Sequence, residues 1–293
     1  MANAGSDPRC YADEAIAIKP RDVRFTWDDV PLHYVQGEAL ATHLFNAAHL
    51  TLPEGERMMA KALTDALALV KDERLHEEIV GFIGQEGQHA HAHEEIHEHL
   101  ERLGIDVAPL VEKIAWLVDN IFNREGLTGR AEREWLCERL ALSAALEHYT
   151  AVLGQWVLDA DALDGVMHPM MLDLVRWHGA EEVEHRNVAF DAFMYVDGGY
   201  ARRARTGIIA SAALAVVFAV SVAYLYANDP SADKGRFWPL QLASAVSRGI
   251  VPTMTHFITE IPVYLKPGFH PTQMGPLDKA LRYLAQSPAA QGR

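Results

Sequence analysis

Cysteine is nearly missing from this chain: Cys10 and Cys137 are the two in 293 residues. A disulfide framework and a cysteine-built zinc site are therefore excluded. Basic residues are outnumbered, 26 against 40 acids, for a formal charge of −14. Phosphate backbones demand a basic footprint, so nucleic acid is excluded as the main partner. No nucleotide-, flavin- or haem-binding motif occurs. Self-similarity at solenoid periods is absent, and there is little period-2 alternation of β-branched residues to argue for a sheet. The opening stretch, MANAGSDPRCYADE, has acids and a proline where a signal peptide needs an apolar run. A cytoplasmic location is the expectation.

Apolar residues make up 49% and charged residues 23%, an ordinary globular balance that a disordered or fibrous chain does not have. The length suits one or two domains with a large buried core. The unusual abundance is 15 histidines alongside the acidic surplus. Carboxylate with imidazole is the ligand vocabulary of iron, manganese and zinc.

Residues 1–30, with Pro8 and Pro20, read as an N-terminal arm. From there the pattern is helical, dominated by Ala, Leu, Glu and Arg. Helices are expected at about 34–50, 54–70, 73–103, 108–124, 130–159, 167–196, 202–227, 236–260 and 276–286, with Pro53, Gly104 and Gly198-Gly199 as breaks. Three helices of about 30 residues suit a four-helix bundle over 31–200, with further helices over 201–293. Gly207 to Ala227 carries no charge and seven alanines. That run is long enough to span a bilayer, and Arg202, Arg203 and Arg205 precede it. A buried or membrane-surface helix is the preferred reading over a true span.

Glu86-Gly-Gln-His89 lies inside the 73–103 helix, and Glu182-Val-Glu-His185 inside the 167–196 helix. Residues three apart share a helical face, so each pair can reach one point. Two such motifs on separate long helices are far more specific than one. In ferritin-like di-iron bundles two further helices each add one glutamate. Glu56 precedes the first motif, and Glu147 precedes the second at the end of the uncharged run Leu140–Leu146. A carboxylate emerging from such a run faces the interior and needs a partner or a metal. His178, four residues before Glu182, shares its face. Glu181 and His93 also reach these faces, as ligands or as hydrogen-bond partners of ligands. The remaining histidines take bland roles. His76, His91, His97 and His99 read as a solvated helix face. His33, His43, His49, His148, His168, His256 and His270 lack partners at ligand spacing. Asp119 with Asn120 reads as a surface pair, and Tyr149 as core.

These stretches resemble the bacterial family of predicted metal-dependent hydrolases, which is ferritin-like. The resemblance runs through Phe45-Asn46-Ala47, Leu52-Pro53-Glu54-Gly55-Glu56 and Gln85-Glu86-Gly87-Gln88-His89 with His93. It continues in Glu147-His148-Tyr149, in Trp177 to His185, in Ala189-Phe190-Asp191 and in Lys266 to Pro271. It covers about residue 20 to about 285. The metal site is also similar to that of the p-aminobenzoate N-oxygenase type of di-iron enzyme, which has an extra histidine four residues before its last Glu-x-x-His. That likeness implies seven ligands: Glu56, Glu86, His89, Glu147, His178, Glu182 and His185.

Hard oxygen donors with imidazole suit two iron ions, with manganese next and zinc less suited. The leading expectation is an all-α, ferritin-like, di-iron oxidoreductase. It would use O₂ on an apolar or aromatic small molecule, with electrons from the substrate or a partner reductase. Two-metal hydrolysis is the alternative, and a non-catalytic metal-binding bundle is the third reading.

Overall fold

The computed structural model describes residues 17–235 and 237–292, so the opening stretch with Pro8 and Cys10 lies outside the described residues. The described chain is all-α: α1 (Ala39–Ala66), α2 (Glu73–Arg102), α3 (Ala108–Leu117), α4 (Arg130–Asp159), α5 (Pro169–His185), α6 (Val188–Val196), α7 (Tyr200–Asn228), α8 (Trp238–Ser247), α9 (Met254–Tyr264) and α10 (Asp278–Leu284). No strand forms among the described residues, and Val35 and Met167 make an isolated bridge. Helix α1 packs on α2 and α4 on α5, with α1 also against α4 and α2 against α5. Helix α7 lies across α1 and α4.

Several boundaries differ from the sequence expectation, each for a local reason. Pro53 does not end a helix but sits inside α1. Its missing N–H leaves the His49 carbonyl without its helical donor. His97 Nε2 lies 2.7 Å from that oxygen and replaces the lost bond, so His97 is not part of a solvated face. The expected 167–196 helix is broken into α5 and α6 at Arg186-Asn187, where no glycine or proline signals a stop. The expected 236–260 helix is two, α8 and α9, parted at Gly249, whose φ of 72° suits glycine.

The buried apolar residues form two clusters. One gathers Phe45, Leu50, Ile96, Leu100, Val157, Leu174 and Trp177. The other gathers Met58, Leu63, Ile79, Phe82, Leu140, Phe190 and Phe193. Helix α1 runs from the first cluster to the second, and α2 and α4 run the other way; the core residues of α5 lie in the first cluster, and those of α6, which follows it, lie in the second. Glu56, Glu86 and Glu147 lie where their helix changes cluster, and Glu182 lies in the last turn of α5, just before α6 enters the second cluster. Burial of each large side chain on either side contributes about 2 kcal/mol, which offsets the cost of a polar layer between them.

Helix α7 departs from a fully buried core helix. Only 17% of its most apolar window is buried. Ile208, Ile209, Val216 and Val220 are exposed on it, as are Trp238 and Leu240 on α8 and Met254 and Ile258 on α9.

Candidate metal centre

The seven residues singled out by the motifs converge, although they come from four helices. Glu56, Glu86, His89, Glu147, Glu182 and His185 are at most 2% exposed, and His178 is 6% exposed. Their ligand atoms fall into two groups, Glu56, His89, His178 and Glu182 in one, Glu86, Glu147 and His185 in the other. Glu182 faces both. Its Oε1 is 2.7 Å from His178 Nε2 and 3.3 Å from His89 Nδ1, while its Oε2 is 3.6 Å from His185 Nε2. Glu86 Oε1 likewise lies 3.2 Å from His185 Nε2 and 3.7 Å from His89 Nδ1. Glu147 Oε2 is 3.5 Å from His185 Nε2, and Glu56 Oε1 is 3.6 Å from His178 Nε2.

The helices reach this register through a close approach. A Cβ on Gly154 of α4 would sit 2.9 Å from Gly179 Cα, and one on Gly179 would sit 2.8 Å from Gly154 Cα. The two bare backbones set α5, with His178 and Glu182, directly against the helix that bears Glu147.

Burial decides the protonation of this layer. It pushes Glu56, Glu86 and Glu147 well above the carboxylate range, and the neighbouring Glu182 charge adds to the shift in each. Burial also opposes ionisation of Glu182, but His178, His185 and His89 outweigh it and hold that carboxyl well below its usual value. Burial lowers His89, but its bond to Glu181 and the nearby Glu182 carboxylate outweigh that and raise it to about 10. Both oxygens of Glu56, Glu86 and Glu147, together with Glu182 Oε2, His89 Nδ1 and His185 Nε2, make no hydrogen bond. Buried polar atoms are nearly always paired, so nine unpaired atoms in one buried Glu/His layer fit bound metal cations.

The far side of each imidazole is held. His89 Nε2 lies 2.9 Å from Glu181 Oε2, and His185 Nδ1 lies 2.9 Å from Gln85 Oε1. Gln85 in turn donates to Glu184 Oε2 at 2.8 Å. Arg21 closes both branches, donating to Glu181 at 2.6 Å and to Glu184 through two bonds of 2.8 Å. Burial lowers the Arg21 pKa, but the Glu184 and Glu181 bonds outweigh that and raise it. Arg21 reaches this point because Gly81 and Gly84 leave room on α2 for the Ile18 carbonyl and the Pro20 ring. Sequence spacing could not find Arg21, Gln85 or Glu184, because their partners lie up to 163 residues away.

Glu181 thus bonds His89 from behind. His93 occupies the corresponding place behind His178, with Nε2 at 2.7 Å from His178 Nδ1 and 3.9 Å from Glu56 Oε1. His93 Nδ1 then meets His49 Nδ1 at 2.8 Å. His49 is therefore no isolated histidine but the end of a buried three-imidazole row. His99 is also buried, against the Val30 carbonyl at 2.9 Å. His33 and His43 both meet Asp229. Tyr149 bonds Ser211 at 2.5 Å, and Asp119 and Asn120 are exposed.

Residues 19–275 match the sequence model of a family described as "Predicted metal-dependent hydrolase". This chain belongs to that family. The predicted metal-dependent hydrolase description agrees with buried Glu/His groups able to hold metal ions, and it favours the hydrolytic alternative over oxygenase chemistry. No curated protein and no solved structure matches the chain.

Proposed function

We propose that the protein is a dinuclear-metal enzyme in which Glu56, Glu86, His89, Glu147, His178, Glu182 and His185 hold two ions, iron first and manganese next. The reading rests on one observation: nine unpaired donor atoms on four helices face one buried layer. The helix order supports a ferritin-like bundle over 31–200, with 201–293 packed on it. Glu86-x-x-His89 on α2 and Glu182-x-x-His185 on α5 are each paired with a lone glutamate on α1 or α4.

When bound, the ions would supply either dioxygen activation, with iron, or Lewis-acid polarisation of a water and a scissile bond. The chain's own residues do the rest. Glu181 and Gln85 hold His89 and His185 with one ring nitrogen turned inward. Phe82 and Trp177, whose ring centroids lie 4.7 Å from His185 and 5.1 Å from His89, wall the layer with apolar surface and exclude water. We favour O₂-dependent oxidation of an apolar or aromatic molecule, because the donors are helix-borne, buried and carboxylate-rich. Electrons would come from that molecule or from a reductase. Hydrolysis is the second reading, and the family description is what favours it.

The exposed apolar residues of α7–α9 support contact with a lipid surface. So does charge placement: ten of the 26 basic residues but only four of the 40 acids follow residue 200. The deciding experiment is anaerobic purification, metal analysis and addition of O₂. Two irons per chain with a transient visible absorption support oxidation. Tightly held zinc with no response to O₂ refutes oxidation and favours hydrolysis, and a metal-free protein that takes up no metal refutes both.

A further inference from the structure

The segment before α1, the first turns of α1 and the end of α7 bring together a second, separate set of ligating side chains. Asp229 follows α7 and is 0% exposed. Its Oδ1 accepts from the Ser231 N–H at 2.8 Å and from the Ser231 hydroxyl at 2.7 Å. Its Oδ2 faces two imidazoles, His33 Nε2 at 2.6 Å and His43 Nε2 at 2.9 Å. The three ligand atoms lie within 4.8 Å of one another. The two rings stand edge to face at 89°, and both Nε2 atoms are turned towards the same Asp229 oxygen.

Among the described residues the ion pairs of Asp229 are with His33 and His43, and no arginine or lysine reaches it. Asp229 and His43 are both fully buried, and a buried carboxylate is held by hydrogen bonds, a charged partner or a metal ion.

We propose that His33, His43 and Asp229 form a mononuclear site for zinc(II) or a similar borderline divalent cation, stapling the pre-α1 segment, α1 and the end of α7. Two imidazoles and one carboxylate are a known zinc set that leaves a fourth position for water. His33 is half-buried and opens that position to solvent. With His43 Nε2 on the ion, Nδ1 carries the proton. Asn46, 3.4 Å away, accepts that proton once its amide is turned over. The Asn46 amino group then faces the Tyr34 hydroxyl, 2.8 Å from it, and that hydroxyl donates to the Thr42 carbonyl at 3.2 Å. The site is independent of the central pair, and its role is to hold the C-terminal helices on α1.

The test is zinc titration of chelator-treated protein, with bound zinc counted per chain in wild type, His33→Gln, Asp229→Asn and Glu147→Ala. His33→Gln and Asp229→Asn should each lose one zinc, with affinity at that site down by about 100-fold or more. Glu147→Ala should keep the zinc that those two lose. Zinc should also protect the 229–235 turn from proteolysis in wild type but not in His33→Gln. If His33→Gln, folded by circular dichroism, binds as many zinc ions as tightly as wild type, the site is a hydrogen-bonded clasp and the proposal fails. Loss of zinc only in Glu147→Ala has the same consequence. A Glu147→Ala variant with unchanged metal content speaks against the central pair alone.

Discussion

Replacing Arg21 with glutamine removes one guanidinium that braces both inward-facing imidazoles. Its three bonds, at 2.6, 2.8 and 2.8 Å, end on Glu181 and Glu184, whose side chains are 0% and 1% exposed. Removing one partner of a buried ion pair costs about 3–5 kcal/mol. Arg21 itself is 26% exposed, so water replaces part of the loss, and about 2–3 kcal/mol is the expected destabilisation. At this chain length that corresponds to a fall in Tm of roughly 5 °C. Freed Glu181 and Gln85 also hold His89 and His185 less firmly. Losses of this kind weaken metal binding about 10–100-fold. Arg21→Lys keeps the charge but cannot fork across two carboxylates, so it should fall between wild type and Arg21→Gln. Thermal melting of the metal-free protein and competition against a chromophoric chelator measure the two effects. An Arg21→Gln protein with unchanged Tm and metal affinity within twofold of wild type would refute the bracing role.

Metal loading should release protons at pH 7. The raised pKa values of Glu56, Glu86, Glu147 and His89 mean that metal displaces protons already bound. Affinity should therefore climb with pH, and calorimetry in two buffers of different ionisation enthalpy should disagree; identical heats would contradict this. Gly154→Ala should cost about 1–3 kcal/mol and loosen metal binding, because its methyl group meets the Gly179 backbone. A fully stable, metal-replete variant would show that the close approach is not needed. Burial lowers His49 to about 3, so below pH 6.5 the unfolded chain takes up a proton that the folded one refuses. Stability should fall on acidification by about 1.4 kcal/mol per pH unit from this group between pH 6 and 4. His49→Gln should flatten that slope in denaturant titrations, and parallel slopes would refute the assignment. Anionic vesicles should co-sediment the protein, and Trp238→Ser with Leu240→Ser should weaken this at least severalfold; no binding by wild type would remove the lipid contact.

Much of the central layer could be read from spacing alone. Glu86 with His89 and Glu182 with His185 were visible because one helical turn fixes their face, and His178 because four residues keep it there. Glu147 was visible because Leu140–Leu146 offers nothing charged around it. Residues whose role depends on tertiary approach were hidden. Arg21 acts only because Gly81 and Gly84 admit the arm. His49 and His97 acquire meaning from α2 lying against the Pro53 turn of α1, and Pro53 misled because a side chain from another helix took the place of its missing donor. Asp229 was invisible beside His33 and His43, since nearly 200 residues separate them. The uncharged stretch was recognised as one helix, but its exposure depends on what α1 and α4 leave uncovered.

The central claim is most directly tested by counting iron in anaerobically reconstituted protein, wild type beside Glu147→Ala, with both confirmed as folded. The account predicts two irons per wild-type chain and a clear loss in the variant, since Glu147 has both oxygens unpaired beside His185. Equal iron in the two proteins, or none in wild type, would contradict it.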